Sequence, residues 1–208
     1  MTRTELLKSA VLDSLDETKP SGVDERVLSI TGYSGTRYKK FANRLLSKDI
    51  VKNYLEIGVW KGSTAIAALR GNHSRLNYTV IDNFSEFGGP REEFVSNWNT
   101  HIGGKPNLID EDCFSFDPPS RGISNIDVYF YDGEHEEIHQ YMALKHYYAA
   151  MADSFIFMVD DWSWPKVQNG TYKALKELDL KVVFKQEYYG ADDKNGWWNG
   201  CGIFVLEK

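Results

Sequence analysis

One stretch of thirteen residues, Asn53-Tyr-Leu-Glu-Ile-Gly-Val-Trp-Lys-Gly-Ser-Thr-Ala65, constrains this chain more than any other. Tyr54 to Ile57 is an apolar run of buried-strand character, interrupted by one carboxylate, Glu56. Gly58 ends the run, and Gly62-Ser63-Thr64 opens an Ala-rich segment to Leu69 that reads as a helix lying close on a sheet. Strand, glycine turn and helix start are the parts of a parallel α/β sheet, and their junction offers backbone N–H groups to a ligand.

The remainder of the chain repeats that alternation. Strands are expected at 53–58, 77–82, 106–110, 126–132 and 153–160, and helices at 63–71, 90–98, 136–149 and 165–178. The last two strands, Lys181–Tyr188 and Cys201–Leu206, are separated by too few residues for a crossover helix, so they form an antiparallel hairpin. The fold class is therefore α/β: a Rossmann-like, doubly wound sheet of seven mostly parallel strands, with ligands expected at the carboxyl ends of the strands. Residues 1–50 read as a helical cap. Leu6, Leu7, Ala10, Val11 and Leu15 are spaced to share a helix face, a helix follows near Asp24–Ile30, and Arg37–Ser47 carries Tyr38, Phe41, Leu45 and Leu46 toward a core. Tyr33 and Tyr38 are ligand candidates there, with packing the expected role of the segment. A chain of 208 residues suits a single domain, divided as 1–50 and 51–208.

Which ligand the glycine turn takes is narrowed by what it lacks. A dinucleotide site needs Gly-x-Gly-x-x-Gly and a P-loop needs Lys after its last glycine. Here only Gly58 and Gly62 stand four apart, and Lys61 precedes the second. Glu56 suits a cationic amino group, and S-adenosylmethionine (SAM) carries an ammonium, a sulfonium and no phosphate. The stretch resembles the first motif of class I SAM-dependent methyltransferases, Glu-x-Gly-x-Gly-x-Gly, with Trp60 in place of the middle glycine. The resemblance implies cofactor contacts from Glu56, Gly58, Trp60, Gly62 and Ser63. Asp82 ends the second strand 26 residues after Glu56, where an acid can accept ribose hydroxyls, and Asn83 and Phe84 lie beside it. In the same family, the segment after the third strand flanks the adenine, which implies Asp112 and Cys113. Asp117-Pro-Pro-Ser120 resembles the Asp-Pro-Pro-Tyr of amino-methylating enzymes, but it precedes the fourth strand instead of following it and reads as a rigid loop.

The fourth strand ends in Asp132-Gly-Glu-His135 and the fifth in Asp160-Asp161. Adjacent parallel strands lie about 4.8 Å apart, so these three carboxylates converge. Two carboxylates about 4 Å apart repel by roughly 4 kcal/mol at a partly buried dielectric. A proton, a lysine or a bound cation must offset this, and three hard oxygens favour Mg²⁺. The pattern resembles the metal-dependent O-methyltransferases, catechol O-methyltransferase among them, and is closer to the sugar-methylating branch that includes macrocin O-methyltransferase. That resemblance covers roughly residues 53–165 and implies Asp132, Asp160 and Asp161 as metal ligands. A base is expected among Glu134, His135 and His139, with His139 one helical turn beyond His135. The loop Tyr189–Gly200 leaves the sheet at the same edge, and its Asp192, Asp193, Trp197 and Trp198 are candidates for selecting the acceptor.

These readings amount to a SAM-dependent methyltransferase, with Mg²⁺ as a second cofactor, acting on a hydroxyl of a small polar acceptor such as a sugar, glycoside or catechol. The alternatives are an NAD-dependent oxidoreductase or a non-catalytic SAM- or nucleoside-binding homologue. A net charge of −6 gives no footprint for nucleic acid or an anionic membrane. Two cysteines, no signal-peptide core and no long apolar run make a cytoplasmic location the expectation, with a homo-oligomer possible through the N-terminal helices.

Overall fold

The computed structural model describes residues 1–190 and 193–208. Three helices open the chain: α1 (Arg3–Leu15), α2 (Glu25–Leu28) and α3 (Thr36–Leu46). Then come β1 (Asn53–Ile57), α4 (Ser63–Leu69), β2 (Asn77–Ile81), α5 (Arg91–His101), β3 (Leu108–Ile109), β4 (Ile126–Tyr131), α6 (Glu137–Tyr147), β5 (Met151–Asp160), α7 (Pro165–Glu177), β6 (Lys181–Tyr188) and β7 (Cys201–Glu207). The seven strands make one sheet in the order β3-β2-β1-β4-β5-β7-β6. All pairings from β3 to β5 are parallel, while β7 runs antiparallel to both β5 and β6.

Alternation along each strand sends side chains to two separate cores. Tyr54, Val80, Val128, Phe130, Ile156 and Val205 face the N-terminal helices, α4 and α5, meeting Leu7, Val11, Phe41, Leu45, Ile66 and Trp98. Leu55, Ile57, Tyr129, Tyr131, Phe157 and Leu206 face α6 and α7, meeting Leu144, Tyr147, Val167 and Leu175. All of β4 is buried, including Asp127, which is 2% exposed. That carboxylate accepts the N–H groups of Lys52 and Asn53 at 2.7 and 2.9 Å and pairs with Arg3, so it fixes the entry of β1 and the start of α1.

The register aligns the ends of the strands. Ile57 pairs with Ile81 and Tyr131, and Tyr131 pairs with Val159. Backbone bonds extend each strand by one residue: Gly58 N–H to Ile81 O, Asp82 N–H to Ile109 O, and Asp132 N–H to Ile57 O, at 2.9, 3.2 and 2.9 Å. Gly58, Asp82, Asp132 and Asp160 therefore stand in one row along the carboxyl edge.

Two sequence expectations need correction here. Leu6 is 40% exposed, and the inward face of α1 is instead Thr4, Leu7, Ala10, Val11 and Ser14. Polar residues hold two of those places because they are satisfied: Thr4 Oγ1 meets Ser154 Oγ and Glu207 Oε2, and Ser14 Oγ donates to Ala10 O. The third strand is two residues long instead of five, a short edge that offers little unpaired backbone.

Candidate active site

The β1–α4 turn follows from its glycines. Gly58 has φ +84°, and a Cβ there would collide with the carbonyl oxygen of Asp132, so only glycine lets this loop pass against the end of β4. Gly62, with φ +86°, sits between Ile66 and Phe94 and starts α4. Between them Trp60 holds a left-handed φ of 44° and donates its N–H to Asp82 Oδ2 at 2.7 Å. Asp82 Oδ1 accepts Phe84 N–H at 2.7 Å. Asp82 thus ties the first loop to the second, and each oxygen keeps a lone pair for a further donor.

Glu56 occupies a different place from the one its motif suggests. It is 0% exposed, and its oxygens accept from Tyr54 OH at 2.6 Å and from Thr64 Oγ1. Burial, countered in part by these two hydroxyls, pushes its carboxyl up to about 7. It acts on the edge row through space, as one of the charges that raise Asp132. Ser63 is likewise turned inward, with Oγ 3.3 Å from Ile30 O. Neither displacement was legible, since the partners come from a strand neighbour two residues away and from the N-terminal cap.

On the far side of Asp82 lies the segment from which adenine contacts were expected. Asp112 is exposed and accepts Phe114 N–H at 2.7 Å. Cys113 is half-buried, its carbonyl accepts Tyr147 OH at 2.7 Å, and burial first, then the Asp112 charge, push its thiol up to about 12. Asn83 is exposed, with Oδ1 taken by Ser85. Asp117–Ser120 forms a capped turn, Ser120 N–H donating to Asp117 Oδ2 at 3.0 Å, as a rigid loop should.

The three carboxylates do come together. Asp160 and Asp161 are 7% and 6% exposed. Burial, then the charges of Asp161 and Glu56, hold Asp132 well above the usual carboxylate range, while a hydrogen bond with Asp160 pulls the other way. Asp160 is raised by burial, then by Asp132 and Asp161, with His135 opposing. His135 Nε2 lies 3.0 Å from Asp161 Oδ2 and 3.7 Å from Asp132 Oδ1, without the direction of a hydrogen bond to either. Lys166, the nearest lysine in sequence, is paired with Glu136. Asp161 has φ +49°, a left-handed turn that costs a non-glycine residue about 1 kcal/mol and swings its carboxylate out of the strand. Among the described residues no three His, Cys, Asp or Glu side chains form a ready-made metal shell. His135 Nε2 bridges Asp132 and Asp161, and a hydrogen bond joins Asp132 to Asp160.

Of the three expected bases, the structure brings only His135 to the carboxylates. Glu134 points to solvent, its carbonyl accepting Gln140 Nε2 at 3.1 Å. His139 stacks on Phe114 with ring centroids 6.0 Å apart. The helical spacing that placed His139 beside His135 does not apply, because α6 begins at Glu137.

Above this edge the N-terminal cap and the β6–β7 loop clasp each other. The N–H groups of Thr36, Arg37 and Tyr38, unpaired at the start of α3, donate to the carbonyls of Lys194, Asn195 and Gly196 at 2.8, 3.2 and 3.4 Å. Trp197 belongs to the core instead of the mouth, 7% exposed and stacked on Tyr188 at 4.0 Å. Trp198 is half-buried and meets Tyr33. Asp193 Oδ1 caps Asn195 N–H at 2.9 Å, and Asp192 lies outside the described residues. A groove lined by Arg91, Val95, Asn99, Lys105, Pro106 and Leu108 at the β3 edge shares no residue with the carboxylates.

No protein-family model and no curated protein matches the chain. Solved structures do. An O-methyltransferase from Bacillus cereus in complex with SAH aligns at TM-score 0.65 and 13% identity, over 98% of this chain and 91% of that one. Cofactor-bound Rv0187 from MTB aligns at 0.62 and 13%, over 96% and 89%. Precorrin-6y C5,15-methyltransferase from Geobacter metallireducens GS-15 aligns at 0.61 and 11%, over 91% and 100%. The chain has the Rossmann-like methyltransferase fold, with its antiparallel terminal strand and its N-terminal helices. No helix among the described residues is long and apolar enough to cross a membrane.

Proposed function

We propose that this chain is a SAM-dependent methyltransferase that uses Mg²⁺ to methylate a hydroxyl of a small polar acceptor, a sugar, glycoside or catechol-like molecule. The observation that carries the reading is the single edge row in which Gly58, Asp82, Asp132 and Asp160 stand at the ends of successive strands. The antiparallel β7 inserted between β5 and β6 argues against a nicotinamide enzyme, whose sheet continues parallel in the order 3-2-1-4-5-6.

SAM, when bound, supplies a methyl group on a sulfonium that is already a good leaving group. The chain's residues then have positioning and a proton to manage. Asp82 would accept the ribose hydroxyls with its free lone pairs while holding the Trp60 and Phe84 loops in place. Asp112 and Cys113 would border the adenine. Asp132, Asp160 and Asp161 suit a hard divalent cation: three carboxylates, mutually repelling, two of them raised in pKa, and without a lysine or arginine partner among the described residues. Mg²⁺ held there would supply positive charge that lowers the acceptor hydroxyl's pKa. His135, whose Nε2 lies beside Asp161 and has no hydrogen-bond partner among the described residues, would take that hydroxyl's proton.

Transfer of labelled methyl from SAM to a panel of vicinal diols tests this. Product that appears with Mg²⁺, vanishes with EDTA and falls by at least about 10²-fold in His135→Ala supports it. Turnover indifferent to EDTA would remove the metal from the mechanism.

A further inference from the structure

Four aromatic rings meet at the carboxyl end of the sheet, and each comes from a different loop. Tyr33 is stacked on Trp60 with centroids 5.0 Å apart and planes 19° apart, and it lies 6.0 Å from both Phe87 and Trp198. Trp60 and Phe87 meet edge to face at 6.3 Å. The chain contributes Tyr33 from the turn before α3, Trp60 from the β1–α4 turn, Phe87 from the loop after β2, and Trp198 from the β6–β7 loop. Trp60 lies two residues past Gly58, which touches Asp132. Trp198 lies two residues before Gly200, whose carbonyl accepts from Trp162, next to Asp161.

Packing does not account for this group. Rings placed for packing end up buried, as Trp197 does one residue away at 7% exposure. Tyr33 and Phe87, by contrast, remain 57% and 73% exposed. The backbone is also strained at three of the four. Trp60, Phe87 and Trp198 have φ of 44°, 49° and 52°, a left-handed conformation that costs bulky residues about 1 kcal/mol or more each. Two of the four rings thus stay exposed and three are held in a disfavoured conformation, on loops that leave the same sheet edge as the carboxylates. The cap–hairpin clasp keeps Tyr33 and Trp198 together. Beside Tyr33, Ser34 is 8% exposed and its hydroxyl has no partner among the described residues. Lys61 sits over Trp60 at 4.7 Å and is already paired with Glu93.

We propose that Tyr33, Trp60, Phe87 and Trp198 form a subsite for an aromatic ring of the acceptor, remote from the hydroxyl that is methylated. Stacking and edge contacts favour a π-face over an alkyl group of equal size. The acceptor is then an aryl-bearing molecule, such as an aryl glycoside, whose oxygens reach Asp132, Asp160 and Asp161 while its ring stays at the rim. This rests on the crevice being a methyl-transfer site.

The test compares phenyl β-D-glucoside with methyl β-D-glucoside by calorimetry on the full chain, with and without SAH, in the native protein, Phe87→Leu and Trp198→Leu. Leucine retains apolar bulk and removes the ring, and the exposure of Phe87 leaves folding untouched. The expected result is about tenfold tighter binding of the phenyl glucoside, most of it lost in each variant. Equal affinities in the native protein, or a preference that survives both substitutions, would overturn the proposal. SAH titrated alone separates the two claims. If SAH binds and the ring preference is missing, this subsite fails and the methyltransferase reading stands. If the preference holds and SAH does not bind, the ring site stands and the methyl-transfer reading fails.

Discussion

Glu56 shows how burial and two neighbouring hydroxyls set the charge state of a motif residue. Its carboxyl is enclosed, with Tyr54 and Thr64 as its only donors among the described residues, and its pKa of about 7 exceeds the ordinary 4.5. Between those two values the folded chain holds a proton that the unfolded chain has released, so stability falls as pH rises through the window and levels off above it. At about 1.4 kcal/mol per pKa unit the full swing is on the order of 3 kcal/mol. Asp132 and Asp160 are raised as well and act with the same sign. Glu56→Gln keeps the hydroxyl contacts and should flatten the decline in urea midpoint from pH 5 to pH 7.5, whereas an unchanged slope would show that Glu56 does not titrate there. Asp160→Asn makes a second case. Removing one of three crowded carboxylates should stabilise the metal-free protein by about 1–2 kcal/mol, a rise of roughly 2–8 °C in melting temperature for a domain of this size. Added Mg²⁺ should raise the melting temperature of the native protein and leave that variant unmoved.

At the level of elements, two glycines with similar backbones should behave differently. Gly58 and Gly71 have φ of +84° and +75°, but a Cβ at Gly58 meets the Asp132 carbonyl while one at Gly71 meets nothing within 4 Å. Gly71→Ala should cost about 1 kcal/mol, the left-handed penalty alone, and Gly58→Ala at least about 3 kcal/mol, because β1 and β4 must part. Urea unfolding of both reads the difference, and equal costs would contradict the close approach. The elements themselves were legible because strand and helix periods are local: the alternation from Asn53 onward and the terminal hairpin follow from short runs, and the convergence of Asp132 with Asp160 and Asp161 follows from the adjacency of the two strands they end. Long-range pairing was not legible. Nothing near Trp197 announces its stack on Tyr188, nothing near Ser63 announces Ile30, and the face assigned to His139 depended on a helix that starts two residues after His135. The meeting of Tyr33 with Trp60, Phe87 and Trp198 depends on four loops and leaves no pattern along the chain.

At the level of the whole molecule, the N-terminal helices are bound into the same body as the sheet. Arg3 reaches Asp127 in β4, Thr4 reaches β5 and β7, and the start of α3 is bonded to the β6–β7 loop. On the proposed reading, the cap shapes the acceptor side, while the turns after β1, β2 and β3 shape the cofactor side. The fold is shared with methyltransferases of different named reactions, so the fold alone does not fix the chemistry. The central claim is that the row from Gly58 to Asp160 is a SAM site. Calorimetric titration of SAH into the metal-stripped protein, with NAD titrated in parallel, tests it most directly. The account predicts one SAH bound per chain at about micromolar affinity, weakened at least about tenfold by Asp82→Ala, and no heat from NAD. Binding of NAD in place of SAH, or SAH binding that ignores Asp82, would contradict it.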